Sequence, residues 1–137
     1  MQLDPSAFLA DSELIQALEK HATPVVCDQE RVLFRQGDPP SGMFILSDGK
    51  AKVSMDSGQE GGAFSCCATS NSLLGLPGMI ANQPYSLSAV AAKGSTVSFV
   101  SREQFNALIQ TEPGLMAKIL KVLATEVRSA RLAITQG

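Results

Sequence analysis

Between Pro24 and Val100 the chain breaks into short apolar runs: Val25 to Cys27, Val32 to Phe34, Met43 to Leu46, Ala51 to Met55, Phe64 to Cys67, Ser86 to Ala91 and Val97 to Val100. Runs this short, punctuated by turns, suit the strands of a β body. The gaps between them hold turn residues, as in Gln36-Gly37-Asp38-Pro39-Pro40, Ser47-Asp48-Gly49, Asp56-Ser57-Gly58 and Lys93-Gly94-Ser95, where Gly supplies positive φ and Pro presets the bend. A strand roughly every ten residues is the rhythm of a sandwich, barrel or jelly roll. In Lys50 to Met55 the alternation is clean, Lys50, Lys52 and Ser54 on one face and Ala51, Val53 and Met55 on the other, so that strand has one wet face and one core face.

Helical patterns flank this body. Asp4-Pro5 reads as an N-cap with Pro in the first turn, and Ser12 opens a second periodic stretch through Glu13, Leu14, Leu18 and His21. Ser101-Arg102-Glu103-Gln104 is a capping box for a helix through Phe105, Leu108 and Ile109 that ends before Pro113. Thr111 or Glu112 is then expected to cap a longer helix with two apolar stripes. Leu115, Ile119 and Val122 suit packing on the β body. Met116, Leu120, Leu123, Val127, Ala130 and Ile134 repeat at spacings of four and three, the rhythm of a two-helix seam, and a second seam left in water would be a liability. A homodimer through that seam is the expectation. At 137 residues the chain fits one domain, 1–137, divided into N-terminal helices (1–23), a β body (24–100) and C-terminal helices (101–137).

Composition narrows the function. With 45% hydrophobic and 18% charged residues the chain can bury a sizeable core without disulfides or metals. A net charge of −2 has the wrong sign for a domain that grips a phosphate backbone, so direct nucleic-acid binding is not expected. No apolar run is long enough for a membrane span, and Met1 to Ala10 lacks the basic start of a signal peptide, which points to the cytoplasm. The single histidine, His21, rules out metal sites built on two or three imidazoles, and no nucleophile, base and orienting group can be assembled, so neither enzymatic activity nor a cofactor is expected. Cys66 and Cys67 are adjacent in a strand and point to opposite faces, so they do not chelate one metal together. Asp56 to Gly62 reads as a hairpin tip without the ordered oxygen ligands of a calcium loop.

The segment Val32-Leu33-Phe34-Arg35-Gln36-Gly37-Asp38-Pro39, followed by Met43-Phe44-Ile45-Leu46-Ser47-Asp48-Gly49-Lys50-Ala51-Lys52-Val53, strongly resembles the first half of cyclic-nucleotide-binding domains of the catabolite-activator (Crp/Fnr-like) type. In that family a strand ends in a Gly-Asp turn, another carries an apolar quartet, and a Gly turn leads into an alternating strand. The later strand pair, the capping-box helix and the long helix also fall where the family has them. The resemblance implies an eight-stranded β-roll (a double-stranded β-helix or jelly roll) with flanking helices, and a sensor of small-molecule effectors that signals through a dimer helix to transcription. Relatives that sense oxygen hold an iron–sulfur cluster on a group of cysteines, and Cys27 with Cys66 and Cys67 does not supply that set.

The ligand cassette departs from the family. The family pattern is a Gly-Glu pair opening a one-turn helix and an Arg nine residues after the Glu. Laid on Gly75-Leu76-Pro77-Gly78-Met79-Ile80 and Pro84-Tyr85-Ser86-Leu87, the Glu position is Leu76 and the Arg position is Tyr85. Leu accepts nothing from a ribose hydroxyl, and a Tyr hydroxyl is no substitute for a bidentate guanidinium on a phosphate. No Lys or Arg occurs from Val53 to Ala92. The candidate site is therefore Leu74, Gly75, Leu76, Gly78, Met79, Tyr85, Ser86 and Leu87, an apolar lining with small polar groups. Two readings stay open: a pocket re-dedicated to an uncharged or aromatic effector with Tyr85 orienting it, or a former pocket collapsed into core, leaving an interaction and dimerisation module. If an effector exists, the joint at Thr111, Glu112, Pro113 and Gly114 is the expected hinge.

Overall fold

A computed structural model describes residues 3–56 and 62–136, with side chains through residue 132. The residues Ser57 to Gly61 of the expected hairpin tip and the side chain of Ile134 lie outside the described residues. Eight strands follow in order: β1 Thr23–Val25, β2 Arg31–Phe34, β3 Gly42–Asp48, β4 Lys50–Asp56, β5 Ala63–Thr69, β6 Ser72–Leu74, β7 Ser88–Ala91 and β8 Thr96–Ser101. They form two antiparallel four-stranded sheets, in the orders β1-β8-β3-β6 and β2-β7-β4-β5. This is the jelly roll that the strand rhythm and the resemblance called for.

The two sheets enclose one core, and a second lies outside the first sheet. Phe44 and Leu46 of β3 point into the roll with Phe34, Val53, Met55, Phe64 and Leu74. Met43 and Ile45, the alternate residues of the same strand, point outward into a cluster with Leu14, Leu18, Leu73, Val100, Phe105, Leu108 and Ile119. Both faces of β3 are thus buried, which is why its apolar run is unbroken. In β4 the expected alternation holds, with Ala51, Val53 and Met55 buried and Lys50 and Lys52 exposed.

Four helices cover the outer face. A 3-10 turn at Pro5–Phe8 is capped by the Asp4 side chain, and α1 spans Ser12–Glu19, with Asp11 rather than Ser12 accepting the hydrogen bond of its cap from the Leu14 N–H. The short α2 is Leu76–Ala81, α3 is Arg102–Thr111 and α4 is Leu115–Gln136. The capping box is complete: the Gln104 N–H donates to Ser101 Oγ at 3.1 Å and the Ser101 N–H to Gln104 Oε1 at 2.9 Å. His21 is exposed just past the end of α1.

Several boundaries differ from the sequence reading. β1 ends at Val25 because the chain then turns, Cys27 giving its carbonyl to the Gly94 N–H at 2.8 Å. β6 lies outside the apolar runs read as strands: Leu74, a candidate site residue, and Leu73 before it pair with Phe44 and Ile45 of β3. Neither Thr111 nor Glu112 caps α4 with its side chain. Thr111 belongs to α3, where its hydroxyl donates back to the Leu108 carbonyl at 3.0 Å, and α4 is entered through a turn in which the Leu115 N–H donates to the Glu112 carbonyl. Along α4, Leu115, Ile119 and Val122 are buried as expected. The second stripe is only partly free. Met116 and Leu123 lean on the helix-side cluster and Ala130 on the roll core, while Leu120 and Val127 stand exposed.

Candidate functional site

The cassette is the link from β6 through α2 to β7. Gly75, at φ +86°, turns the chain out of β6, and Asn82, at φ +54°, ends the helix. This path sends its side chains to two sides. Leu74, Tyr85 and Leu87 belong to the roll core. Leu76 and Met79 are fully buried in the outer cluster, with Met43, Ile45 and Leu73 of the first sheet and with residues of α1, α3 and α4. Met79 also lines a cavity of about 490 Å³ with Ile80, Asn82, Arg102 and Phe105.

Tyr85 fills the space between the sheets and α2. Its ring stacks on Phe34 with centroids 4.3 Å apart, and it lies so close to the glycines that a Cβ on Gly75 would meet its Cε1 at 3.0 Å and one on Gly78 its Cδ1 at 3.1 Å. The hydroxyl is fully used: it donates to the Gly42 carbonyl at 2.8 Å and accepts from the Ser41 N–H at 3.1 Å. Its backbone is paired with the Gly-Asp turn, the Gly37 N–H donating to the Tyr85 carbonyl at 2.8 Å and the Tyr85 N–H to the Asp38 carbonyl at 3.0 Å. The ring and hydroxyl of Tyr85 are thus both engaged in contacts within the chain.

Space remains on the α4 side. A cavity of about 390 Å³ is lined by Met55, Pro77, Ser86, Leu87, Glu126, Val127, Ala130 and Arg131. Of the expected site residues it includes Ser86 and Leu87. The residue missed from sequence is Glu126, which is 3% exposed and has no hydrogen-bond partner at either carboxylate oxygen. The signal was present: Glu126 sits four residues after Val122, continuing the inward stripe Leu115-Ile119-Val122. Burial alone pushes its carboxyl up to about 8. Two contacts pin α4 beside it. The Asp4 N–H donates to Ser129 Oγ at 3.3 Å, and Lys118 pairs with Asp11 at 2.6 Å and Glu13 at 3.5 Å, holding the Asp11 carboxyl below its ordinary range.

The remaining chemistry-bearing groups are dispersed. Cys27 is buried, Cys66 half-buried against the roll core and Cys67 exposed, and burial, helped by Cys67 and Asp4, lifts the Cys66 thiol to about 11, which keeps it protonated at neutral pH. No cluster of three or more His, Cys, Asp or Glu able to hold a metal occurs among the described residues. Among these residues no helix is long and apolar enough to cross a membrane.

Comparison with known proteins now bears on this geometry. The family model described as cyclic nucleotide-binding domain matches residues 24–112. No curated protein matches the chain by sequence. Among solved structures, the catabolite activator protein of Thermus thermophilus superposes with a TM-score of 0.76 at 21% identity, over 97% of this chain and 62% of that one. A cyclic nucleotide-binding domain from Methylobacillus flagellatus gives 0.70 at 21% identity, over 92% of this chain and 71% of that one. The c-di-GMP-responsive global regulator of Xanthomonas campestris gives 0.70 at 16% identity, over 92% and 62%. The chain thus spans less than two thirds of the length of the Thermus and Xanthomonas proteins, and at these identities the likeness is one of fold.

Two measurements check the site. Tyr85→Phe keeps the ring and strips the buried Gly42 carbonyl and the part-buried Ser41 N–H of their partner, so urea unfolding should show a loss of about 1–3 kcal/mol. For Glu126 the folded value, about 8, lies above the ordinary 4.5, so the unfolded chain gives up its proton first. Its contribution is complete below pH 4.5, is lost as pH rises to about 8, and levels off beyond. Stability measured across that window should fall in the parent and stay nearly flat in Glu126→Gln.

Proposed function

Because the chain belongs to the cyclic nucleotide-binding domain family, we propose that it is a ligand-sensing regulatory module, cytoplasmic and homodimeric, that does not take up cyclic AMP or cyclic GMP in the family's usual way. The observation that carries this reading is the double position of Val127 and Ala130. Both line the cavity, and both belong to the α4 stripe whose exposed members are Leu120 and Val127. A molecule seated against them would bear directly on the surface through which a second copy docks, which couples occupancy to assembly without a relay.

The loss of cyclic-nucleotide chemistry rests on the other end of the site. Leu76 is buried in the outer cluster and Tyr85 fills the cassette with a saturated hydroxyl. Neither a ribose acceptor nor a phosphate fork is present at those two positions. The Xanthomonas regulator, which shares the fold and is described as responsive to c-di-GMP, is in keeping with a fold that does not dictate its effector.

The filled cassette favours a second reading, a dimerisation and interaction module that takes no ligand. A melting scan against a metabolite library separates the two, since any molecule selective for the folded state raises the midpoint by mass action. In calorimetry, cyclic AMP and cyclic GMP should give no binding in the micromolar range, and a micromolar isotherm overturns the reading of the cassette. In sedimentation the parent should run as a dimer and Leu120→Glu as a folded monomer. An unchanged profile in the variant would move the interface off α4.

A further inference from the structure

An unpaired carboxyl at an inward position of α4 needs a reason. A leucine at 126 would extend the stripe of Leu115, Ile119 and Val122 and bury apolar surface; the glutamate buries two oxygens that accept from nothing. Leaving such a group buried and unpaired forfeits its hydration with nothing in return. The walls around it are Met55 from β4, Pro77 from α2, Ser86 and Leu87 from the segment leading to β7, and Val127 and Ala130 from α4 itself. Among the residues lining the cavity, Arg131 is the other titratable group, and it donates to neither oxygen of Glu126. The volume, about 390 Å³, is in the range of small-molecule sites, which join apolar walls to a few placed polar groups.

We propose that Glu126 is the recognition group of this cavity, and that the ligand is a planar molecule with an apolar ring and a forked pair of N–H donors, of the amidine or amino-heterocycle class, rather than a phosphate. This deepens the ligand-sensing reading and rests on it. A carboxylate accepts two parallel N–H bonds from such a fork, and the ring of the same molecule covers Pro77, Leu87 and Val127. Protonated, the carboxyl still offers one donor and one acceptor to an aminopyridine-like edge. A phosphate or carboxylate ligand gains nothing from Glu126 and is repelled once the group ionises.

Benzamidine and its neutral counterpart benzyl alcohol test this on the full chain by NMR titration at pH 9, above the value of about 8 to which burial lifts Glu126. Benzamidine should bind more tightly than benzyl alcohol, and benzoate should not compete. Glu126→Gln should weaken benzamidine about ten- to a hundredfold, the worth of a charged hydrogen bond, and leave benzyl alcohol within about twofold. At pH 7, benzamidine binding to the parent should release a proton, a readout that needs no variant. Equal affinity of parent and variant for benzamidine, or binding without proton release, overturns the role of Glu126 while benzyl alcohol binding leaves the cavity standing. If neither ring compound binds and the metabolite melting scan is also flat, the ligand-sensing reading falls with it.

Discussion

The packing of Tyr85 is the constraint on which the rest of the structure depends. Its ring stacks on Phe34 from one sheet, its hydroxyl bonds Gly42 at the start of β3 in the other, its backbone closes on the Gly37-Asp38 turn, and its edge presses on Gly75 and Gly78 around α2. One side chain thus joins both layers of the roll to the segment that the family uses for ligand contact. The glycines are required by this arrangement. Gly75 carries both demands: a positive φ of +86° and an aromatic edge that would lie 3.0 Å from a Cβ.

The cavity beside the roll is lined by Ser86 and Leu87 from the cassette and, on α4, by the buried carboxyl of Glu126. The neighbours Val127 and Ala130 belong at once to the cavity wall and to the outward stripe. On the proposed reading, recognition and assembly would share residues on one helix, and that helix is tied to the N-terminal segment by Ser129 and Lys118. A movement of α4 would bear on Asp4 and Asp11 and on the two cores that its buried residues join.

Much of this was legible in the chain because the relevant physics is local. Turn residues every few positions marked the strands, the Ser101 and Gln104 pair marked a helix start, and the alternation of β4 marked its wet face. What stayed hidden depends on contacts distant in sequence. Leu73 and Leu74 form a strand only because β3 lies beside them. Leu76 and Met79 could be placed on α2 but not on a side of it, since one helical turn has no periodicity to reveal which face is covered. Glu126 was passed over for the opposite reason: its charge suggested solvent, although its spacing from Val122 placed it inward. Position in the stripe was the better guide than residue type.

The unequal burial of the two sheets also shapes how such a chain can change over generations. Every residue of β3 from Gly42 to Leu46 is buried, its side chains pressed alternately by the roll and by the helices, so each drift there needs a matching change in one of two cores. On β4 the outward residues Lys50 and Lys52 face water and meet only Cys67, Thr69 and Val90 across the ladder. Substitutions can accumulate on that face nearly free of selection for packing. A chain built this way concentrates its packing constraint on the sheet that is covered twice and leaves the outward face of the other to water.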